Sequence, residues 1–477
     1  MAPGAESAPE WSRADSFAIV ALVMAAAITR FADLGYPSRP IFDEPITLAL
    51  AHCYLHNLPY RDTHPPLAGQ LIALSIAVFG DRPWSWRVAS ASLGTALVGL
   101  SYLLGRRMFG SRLASVLAAS LVLFDGMFLV ESRLALWEIY YLTFAACSYL
   151  LLFRFVQLAD QRSRRRTLVL LGIALGLGLG SKLLIPLVTV ALVMVWLIVF
   201  LILETHPDSI IRLNRQIAGS VLLVGGLSGF VYAVIYLPNY WMGWWGGVKD
   251  QVVFYRGELR AQKALSFATN PHPYASQWWS WPFLLRPILY WKEIDLLTIP
   301  DAGAASIRAL GNPIIWWGVV VSILLAAIDA VRRKSMVPGF LVSGYALYLA
   351  MWIPIGRYKF IYYYLPALYL GLLALAALLH ECWWGNAEAW EQAALLLALL
   401  PSLVLGLGVS LGSGAAAAIA LSFLVLSRKG KRHSGRFVCS LYMAAVVLVF
   451  IYFLPLWTGL PLTPAGFRAR MWLAGWM

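Results

Sequence analysis

Charge is scarce in this chain. Only 13% of its 477 residues are Asp, Glu, Lys or Arg, about half the roughly 25% of a soluble domain. No stretch is long and polar enough for a large soluble domain. The alternation of polar and apolar residues that marks a membrane barrel is missing. Internal repeats are not evident, which argues against the common transporter architectures. Cysteine is sparse as well. Cys53, Cys147, Cys382 and Cys439 show no CxxC or paired spacing, which excludes a cysteine-held metal cluster and suits free thiols in apolar surroundings. The N-terminal region lacks the pattern of a cleavable signal. A mixed-charge leader precedes 17–28, which reads as the start of a first membrane helix.

Apolar residues make up 60% of the chain, in runs of about 20 that recur along nearly its whole length. The pattern predicts an all-α polytopic membrane protein, with helices near 16–34, 84–104, 113–131, 139–158, 167–181, 183–203, 217–238, 308–330, 336–355, 361–381, 391–411, 413–427 and 437–456. The stretch 67–80 reads as a short interfacial helix. Since 167–203 and 391–427 can each be divided in more than one way, the expected number of spans is 11–13. Three segments follow: a membrane module over 1–238 with a first loop at 35–83, a Trp-rich loop over 239–307, and further spans over 308–477.

The net charge of +14 does not signify nucleic-acid binding. The basic residues gather in short clusters between apolar spans, at 106–112, 162–166, 212–215, 332–334 and 428–436. Cytoplasmic loops look like this under the positive-inside rule. That orientation sets the loop after the first span, the 239–307 segment and the C-terminus on the outer side.

The remaining charged residues converge on that outer side. Asp43 and Glu44 follow the first span, and Arg61-Asp62-Thr63-His64-Pro65-Pro66-Leu67 follows about twenty residues later. Acids beside a membrane segment are costly to desolvate and commonly have a task. A general base with a substrate-orienting acid is favoured over a solvated pair marking the boundary. Arg133, with Glu131 and Glu138 nearby, suits a bidentate phosphate fork and a snorkelling ion pair equally. The Gly176-Leu177-Gly178-Leu179-Gly180-Ser181-Lys182 run has the wrong spacing for a P-loop. Its glycines suit close helix packing, and Lys182 can offer its charge to an anionic lipid head. The run from His272 through Tyr274, Trp279 and Arg286 fits an interfacial aromatic belt, and also a platform for sugar or lipid phosphate. Arg357 opens another span from the same side, where phosphate binding and anchoring both fit. No grouping of His, Cys, Asp and Glu has convincing metal-ligand spacing, so no metal and no cofactor are expected, although Asp43 and Glu44 have the chemistry to share a divalent cation.

Together these pieces resemble the protein O-mannosyltransferase family, polytopic glycosyltransferases of the GT-C class. The resemblance is carried by Asp43-Glu44, His64-Pro65-Pro66-Leu67, Ser132-Arg133 with Glu138, Gly180-Ser181-Lys182 and the 272–286 run. Gly311-Asn312-Pro313-Ile314-Ile315-Trp316-Trp317 and Tyr364-Leu365-Pro366-Ala367-Leu368 add to it. Leu460-Pro461-Leu462 and the 467–472 run look like bacterial members. The resemblance implies inverting transfer of mannose from a polyprenyl-phosphate carrier to Ser or Thr of exported proteins, at the outer face of a bacterial plasma membrane. It implies Asp43 as base, Glu44 as the acid orienting the acceptor, and Arg133, Lys182 and Arg357 at the donor phosphate. Asp62, His64, Glu138, His272, Tyr274, Trp279 and Arg286 would border the substrates, and the export translocon is a candidate partner. The chain departs from the family pattern in three places. Ala68-Gly69 stands where Gly-Lys is usual, Tyr363 where His is usual, and 239–307 is too short for the β-trefoil domain of eukaryotic members. The alternatives are a GT-C transferase with another lipid-linked sugar or a lipid or glycan acceptor and, from a different class, a transporter.

Overall fold

The computed structural model describes residues 10–59, 64–204, 210–264, 272–293 and 305–477, with side chains at 258, 259 and 261–264 excepted. The first helices in chain order are α1 (Arg13–Phe31), α2 (Glu44–His56), α3 (Leu67–Phe79), α4 (Pro83–Phe109), α5 (Arg112–Leu123), α6 (Gly126–Arg133) and α7 (Glu138–Val156). Next come α8 (Gln161–Ser181), α9 (Leu184–Glu204), α10 (Ile210–Ile235), α11 (Leu237–Trp241) and α12 (Val248–Ala264). A 3₁₀ turn (Trp278–Phe283) and strands β1 (Ile288–Lys292) and β2 (Ser306–Ala309) follow. The chain continues through α13 (Pro313–Arg333), α14 (Met336–Ala350), α15 (Leu365–Trp384), α16 (Ala389–Leu397), α17 (Leu400–Leu407), α18 (Val409–Ser427), α19 (Lys431–Thr458) and α20 (Pro464–Arg470). The element boundaries follow local chemistry. Ser12 and Asp15 form a reciprocal capping box at the start of α1. Pro45, Pro83 and Pro313 stand where a helix needs no backbone N–H.

All thirteen expected spans are helical, but fewer qualify as membrane crossings. Among the described residues ten helical segments are long and apolar enough, or eleven if α5 and α6 count as one span bent by 60°. The lower end of the expected 11–13 is thus reached only with the bent pair. Two helices account for the rest of the difference. The first two turns of α8 carry Arg162, Arg164, Arg165 and Arg166, which leaves its apolar part short. With 15 residues, α14 spans only about 22 Å at 1.5 Å per residue. The all-α expectation misses one small sheet. β1 and β2 pair antiparallel, with Ile288 opposite Ala309 and a register irregularity between Leu289 and Trp291.

The chain divides into two compact units. The first comprises 1–110, 131–270 and 354–357, and the second 111–130, 271–353 and 358–477. In the first, α8 packs against α7 and α10, and α4 against α1 and α7. In the second, α15 is the central helix, packed against α5, α13, α14 and α19, and nearly all of its length is buried.

Candidate active site

In the first unit the site is built around the loop that joins α1 to α2. Arg87, in the opening turns of α4, holds that loop in place. Its Nη1 donates to the carbonyls of Leu34 (3.1 Å) and Pro37 (3.0 Å). Its Nε and Nη2 meet Glu44 Oε1 and Oε2 at 2.7 and 2.8 Å. Glu44 also accepts from the backbone N–H of Ile41 (3.0 Å) and of Ala135 (2.9 Å). Both of its oxygens are engaged and none of its surface is exposed. The expectation that Glu44 orients the acceptor therefore gives way to a structural task. A buried carboxylate facing a guanidinium and two amides locks the loop.

Asp43 is thereby placed. Phe42 adopts φ 53°, a left-handed conformation that costs a residue with a Cβ roughly 1–2 kcal/mol, and the chain turns sharply there. Asp43 occupies the N-cap of α2 but makes no side-chain capping bond, although Asp is among the residues that usually cap. Its carboxyl is half-buried and is pushed up to about 6, first by burial and then by the Glu138 carboxylate. The charges of Lys182 and Arg357 oppose that rise.

Ala135 ties α2 to the turn that leads into α7. It donates to Glu44 through its N–H and accepts from Thr47 Oγ1 through its carbonyl at 2.6 Å. Glu138, the first residue of α7, therefore lies within electrostatic reach of Asp43. Gly94 permits the end of α6 to approach α4, since a Cβ there would overlap Ser132. Glu138 Oε1 receives Lys182 Nζ at 2.5 Å from the end of α8. That ammonium lies 6.0 Å from the centroid of the Trp137 ring and 5.8 Å from that of Tyr141. The His64 ring contacts Trp137 at 4.2 Å between centroids. Asp43, His64, Glu138, Lys182 and Arg357 thus belong to one neighbourhood, while Asp62 lies outside the described residues.

Arg133 is placed differently from the expected phosphate fork. Its Nη1 donates to the carbonyls of Thr29 (3.1 Å), Arg30 (3.3 Å) and Ala32 (2.6 Å), and its Nη2 to that of Asp33 (3.2 Å). Arg133 satisfies the carbonyls that the end of α1 leaves open. Neither the fork nor the ion pair with Glu131 or Glu138 describes these bonds.

The other expected substrate-bordering residues belong to the second unit. His272 contacts the rings of Tyr274, Tyr358 and Phe360, and burial lowers its pKa. Its Nδ1 accepts from the N–H of Tyr274 at 3.2 Å. Trp279 is 56% exposed and Arg286 is exposed, so the structure gathers His272 and Tyr274 but not these two. The buried tryptophan of this run is Trp281, which donates to Ser276 Oγ at 2.9 Å. Asp125 of the same unit was not foreseen. It accepts from the N–H groups of Met127 and Phe128, capping α6, and from Asn312 N and Trp316 Nε1 at 2.9 Å each. Those bonds give the Asn312-to-Trp316 motif a structural explanation. Arg87 and Trp137 were also missed. The available signal for Arg87 was a lone arginine inside the otherwise apolar run 84–104. Among the described residues no group of three or more His, Cys, Asp or Glu is placed to hold a metal ion.

Residues 20–243 match the family model described as dolichyl-phosphate-mannose-protein mannosyltransferase, and residues 259–476 that of the C-terminal four TMM region of protein-O-mannosyltransferase. The polyprenol-phosphate-mannose–protein mannosyltransferase of Mycolicibacterium smegmatis is 26% identical over 97% of this chain and 93% of its own. The protein of the same name from Corynebacterium glutamicum is 24% identical over 98% and 94%. Among solved structures, the Saccharomyces cerevisiae protein O-mannosyltransferase Pmt1-Pmt2 complex bound to the sugar donor shares the fold. Its TM-score is 0.78, with 16% identity over 99% of this chain and 94% of that one. ArnT from Cupriavidus metallidurans, bound to undecaprenyl phosphate, has a TM-score of 0.57 at 14% identity, over 93% and 76%. With both halves of the chain matched by models of one family, and with the fold of membrane-embedded sugar transferases, this multi-pass membrane protein belongs to the protein O-mannosyltransferase family and is a glycosyltransferase of GT-C fold.

Proposed function

We propose that the protein transfers mannose from a polyprenyl-phosphate-mannose donor to Ser or Thr hydroxyls of exported proteins, with Asp43 as general base. The observation that carries this reading is the half-buried Asp43 carboxyl, raised to about 6 beside Lys182 and Arg357. Above pH 6 it is ionised, yet it is a stronger base than an ordinary carboxylate. Asp43 takes the acceptor proton as the hydroxyl oxygen attacks the anomeric carbon from the side opposite the phosphate. The bond to the phosphate oxygen breaks and its electron pair leaves with the polyprenyl phosphate, so the anomeric configuration inverts. Lys182 and Arg357 stabilise the charge that grows on the leaving phosphate. The reading requires no metal, so activity should persist in EDTA.

The site is proposed to face away from the cytoplasm. Two helices support this. α4 begins near Arg87 and ends at Arg106 and Arg107, and α8 begins at Arg162–Arg166 and ends beside Lys182. The basic clusters and the site thus lie at opposite ends of the same helices, and such clusters stay in the cytoplasm. The test is transfer by the purified protein from polyprenyl-phosphate mannose to a Ser/Thr-rich peptide. The expected product carries mannose with the anomeric configuration opposite to the donor's, and Asp43→Asn forms roughly 10²–10⁴-fold less of it. Absence of peptide mannosylation by the wild type, or retention of the donor's configuration, would refute the reading.

A further inference from the structure

We infer that Trp137 is a positioning residue for the donor: its indole N–H donates to an oxygen of the polyprenyl phosphate. The inference rests on the proposed assignment of Lys182 and Arg357 to that phosphate. Trp137 is 4% exposed. Its Nε1 is buried and has no hydrogen-bond partner among the described residues. An N–H buried without an acceptor is costly to folding and calls for an explanation. Trp244, Trp352, Trp457 and Trp472 share this condition, so it does not by itself identify a site. Trp137 differs from them in its surroundings. It directly precedes Glu138, the Lys182 ammonium stands 6.0 Å from its ring centroid, and the His64 ring packs against it at 4.2 Å.

The ring contact with His64 points away from stacking on a sugar as the main use of this indole. Its remaining polar group is a single edge donor, suited to one acceptor oxygen. A mannose hydroxyl and a phosphate oxygen both accept, but the Lys182 ammonium 6.0 Å from the ring centroid, although paired with Glu138, favours an anionic acceptor over a neutral one. A hydrogen bond to an anion is roughly twice as strong as one between neutral groups.

The test is binding of polyprenyl phosphate, without sugar, to the detergent-solubilised protein by titration calorimetry. Polyprenol lacking the phosphate serves as control. Trp137→Phe keeps an aromatic ring and removes the donor, and Trp137→His restores a ring N–H. The Phe variant is expected to bind polyprenyl phosphate about 10-fold more weakly, the lower end for a hydrogen bond to a charged group. The control should be unchanged and the His variant should recover part of the loss. Wild-type affinity for polyprenyl phosphate in the Phe variant would overturn the inference. So would an equal loss toward polyprenol, which would assign Trp137 to apolar packing. Mannose transfer is not part of the readout, so a failure of the proposed reaction would register separately.

Discussion

Arg87 and Glu44 meet fork to fork, with Nε–Oε1 at 2.7 Å and Nη2–Oε2 at 2.8 Å, and neither side chain is exposed. Removing one partner of such a pair leaves a buried charge without compensation, at about 3–5 kcal/mol. Arg87→Met is therefore expected to lower thermal stability steeply. Glu44→Gln should do so as well, because the amide offers only one acceptor oxygen where Arg87, Ile41 and Ala135 now donate to two. The double variant Glu44→Gln/Arg87→Met should regain part of the loss. Unfolding in detergent, followed alongside activity per folded molecule, separates the two tasks open to Glu44. An unchanged melting temperature with lost transfer would return Glu44 to the chemistry.

The raised pKa of Asp43 makes two linked predictions. As a base it must be ionised, so kcat/KM should climb through an acid limb near pH 6 and level off above it. For stability the sign is opposite to that of a salt-bridged acid. The folded carboxyl holds its proton up to about 6, against 3.8 when unfolded. Its ionisation therefore costs the fold nothing below about pH 3.8, increasingly more between 3.8 and 6, and the full amount above 6. Asp43→Asn removes that cost. The variant should melt higher than wild type at pH 7.5, and the difference should shrink toward zero near pH 4.

Asp43 could be singled out from the sequence because two acids beside an apolar span are unusual. Its neighbour's task could not. N-cap and first helical positions point in different directions, and the partner that decides Glu44's role, Arg87, is 43 residues away. Arg133 shows the same limit. An arginine at a helix end reads alike whether its guanidinium meets a phosphate or the carbonyls of α1. The spanning helices were legible because each rests on a local apolar run, whereas α2 and the polar α12 fall in stretches that read as loops. Hydropathy alone does not register the 60° bend between α5 and α6, which is one reason that only the lower end of the expected 11–13 spans is met. The β1–β2 pair was hidden because strands of five and four residues lie among tryptophans and prolines that read as an interfacial belt.

For Arg133 a loss of stability is expected rather than a defect in donor binding. Arg133→Ala strips four bonds from the end of α1. The expected destabilisation is about 1.5–3 kcal/mol, the range for one hydrogen bond to a charged group, because water can reach part of the freed helix end. Donor KM per folded molecule should stay near wild type. A raised donor KM at an unchanged melting temperature would restore the phosphate fork.

The proposed orientation is open to chemical labelling. In a cysteine-free background, Gly257→Cys on the exposed side of α12 should react with a membrane-impermeant maleimide on intact cells. Ser163→Cys, within the 162–166 arginine cluster, should react only after permeabilisation. The reverse pattern would place Asp43 in the cytoplasm and exclude exported acceptors.

Glu138 and Lys182 act on Asp43 with opposite signs, and that opposition provides the sharpest test of the site. The Glu138 carboxylate raises the Asp43 pKa and the Lys182 ammonium lowers it. Glu138→Gln deletes a like charge while retaining an oxygen for Lys182, so the acid limb of kcat/KM should move below pH 6. Lys182→Met deletes the counter-charge, so the limb should move above pH 6. This substitution also removes positive charge from the proposed phosphate site and should raise the donor KM. Both side chains are largely buried, so salt should screen these shifts only weakly. Limbs moving the same way in the two variants, or not at all, would mean that the group titrating near pH 6 is not Asp43.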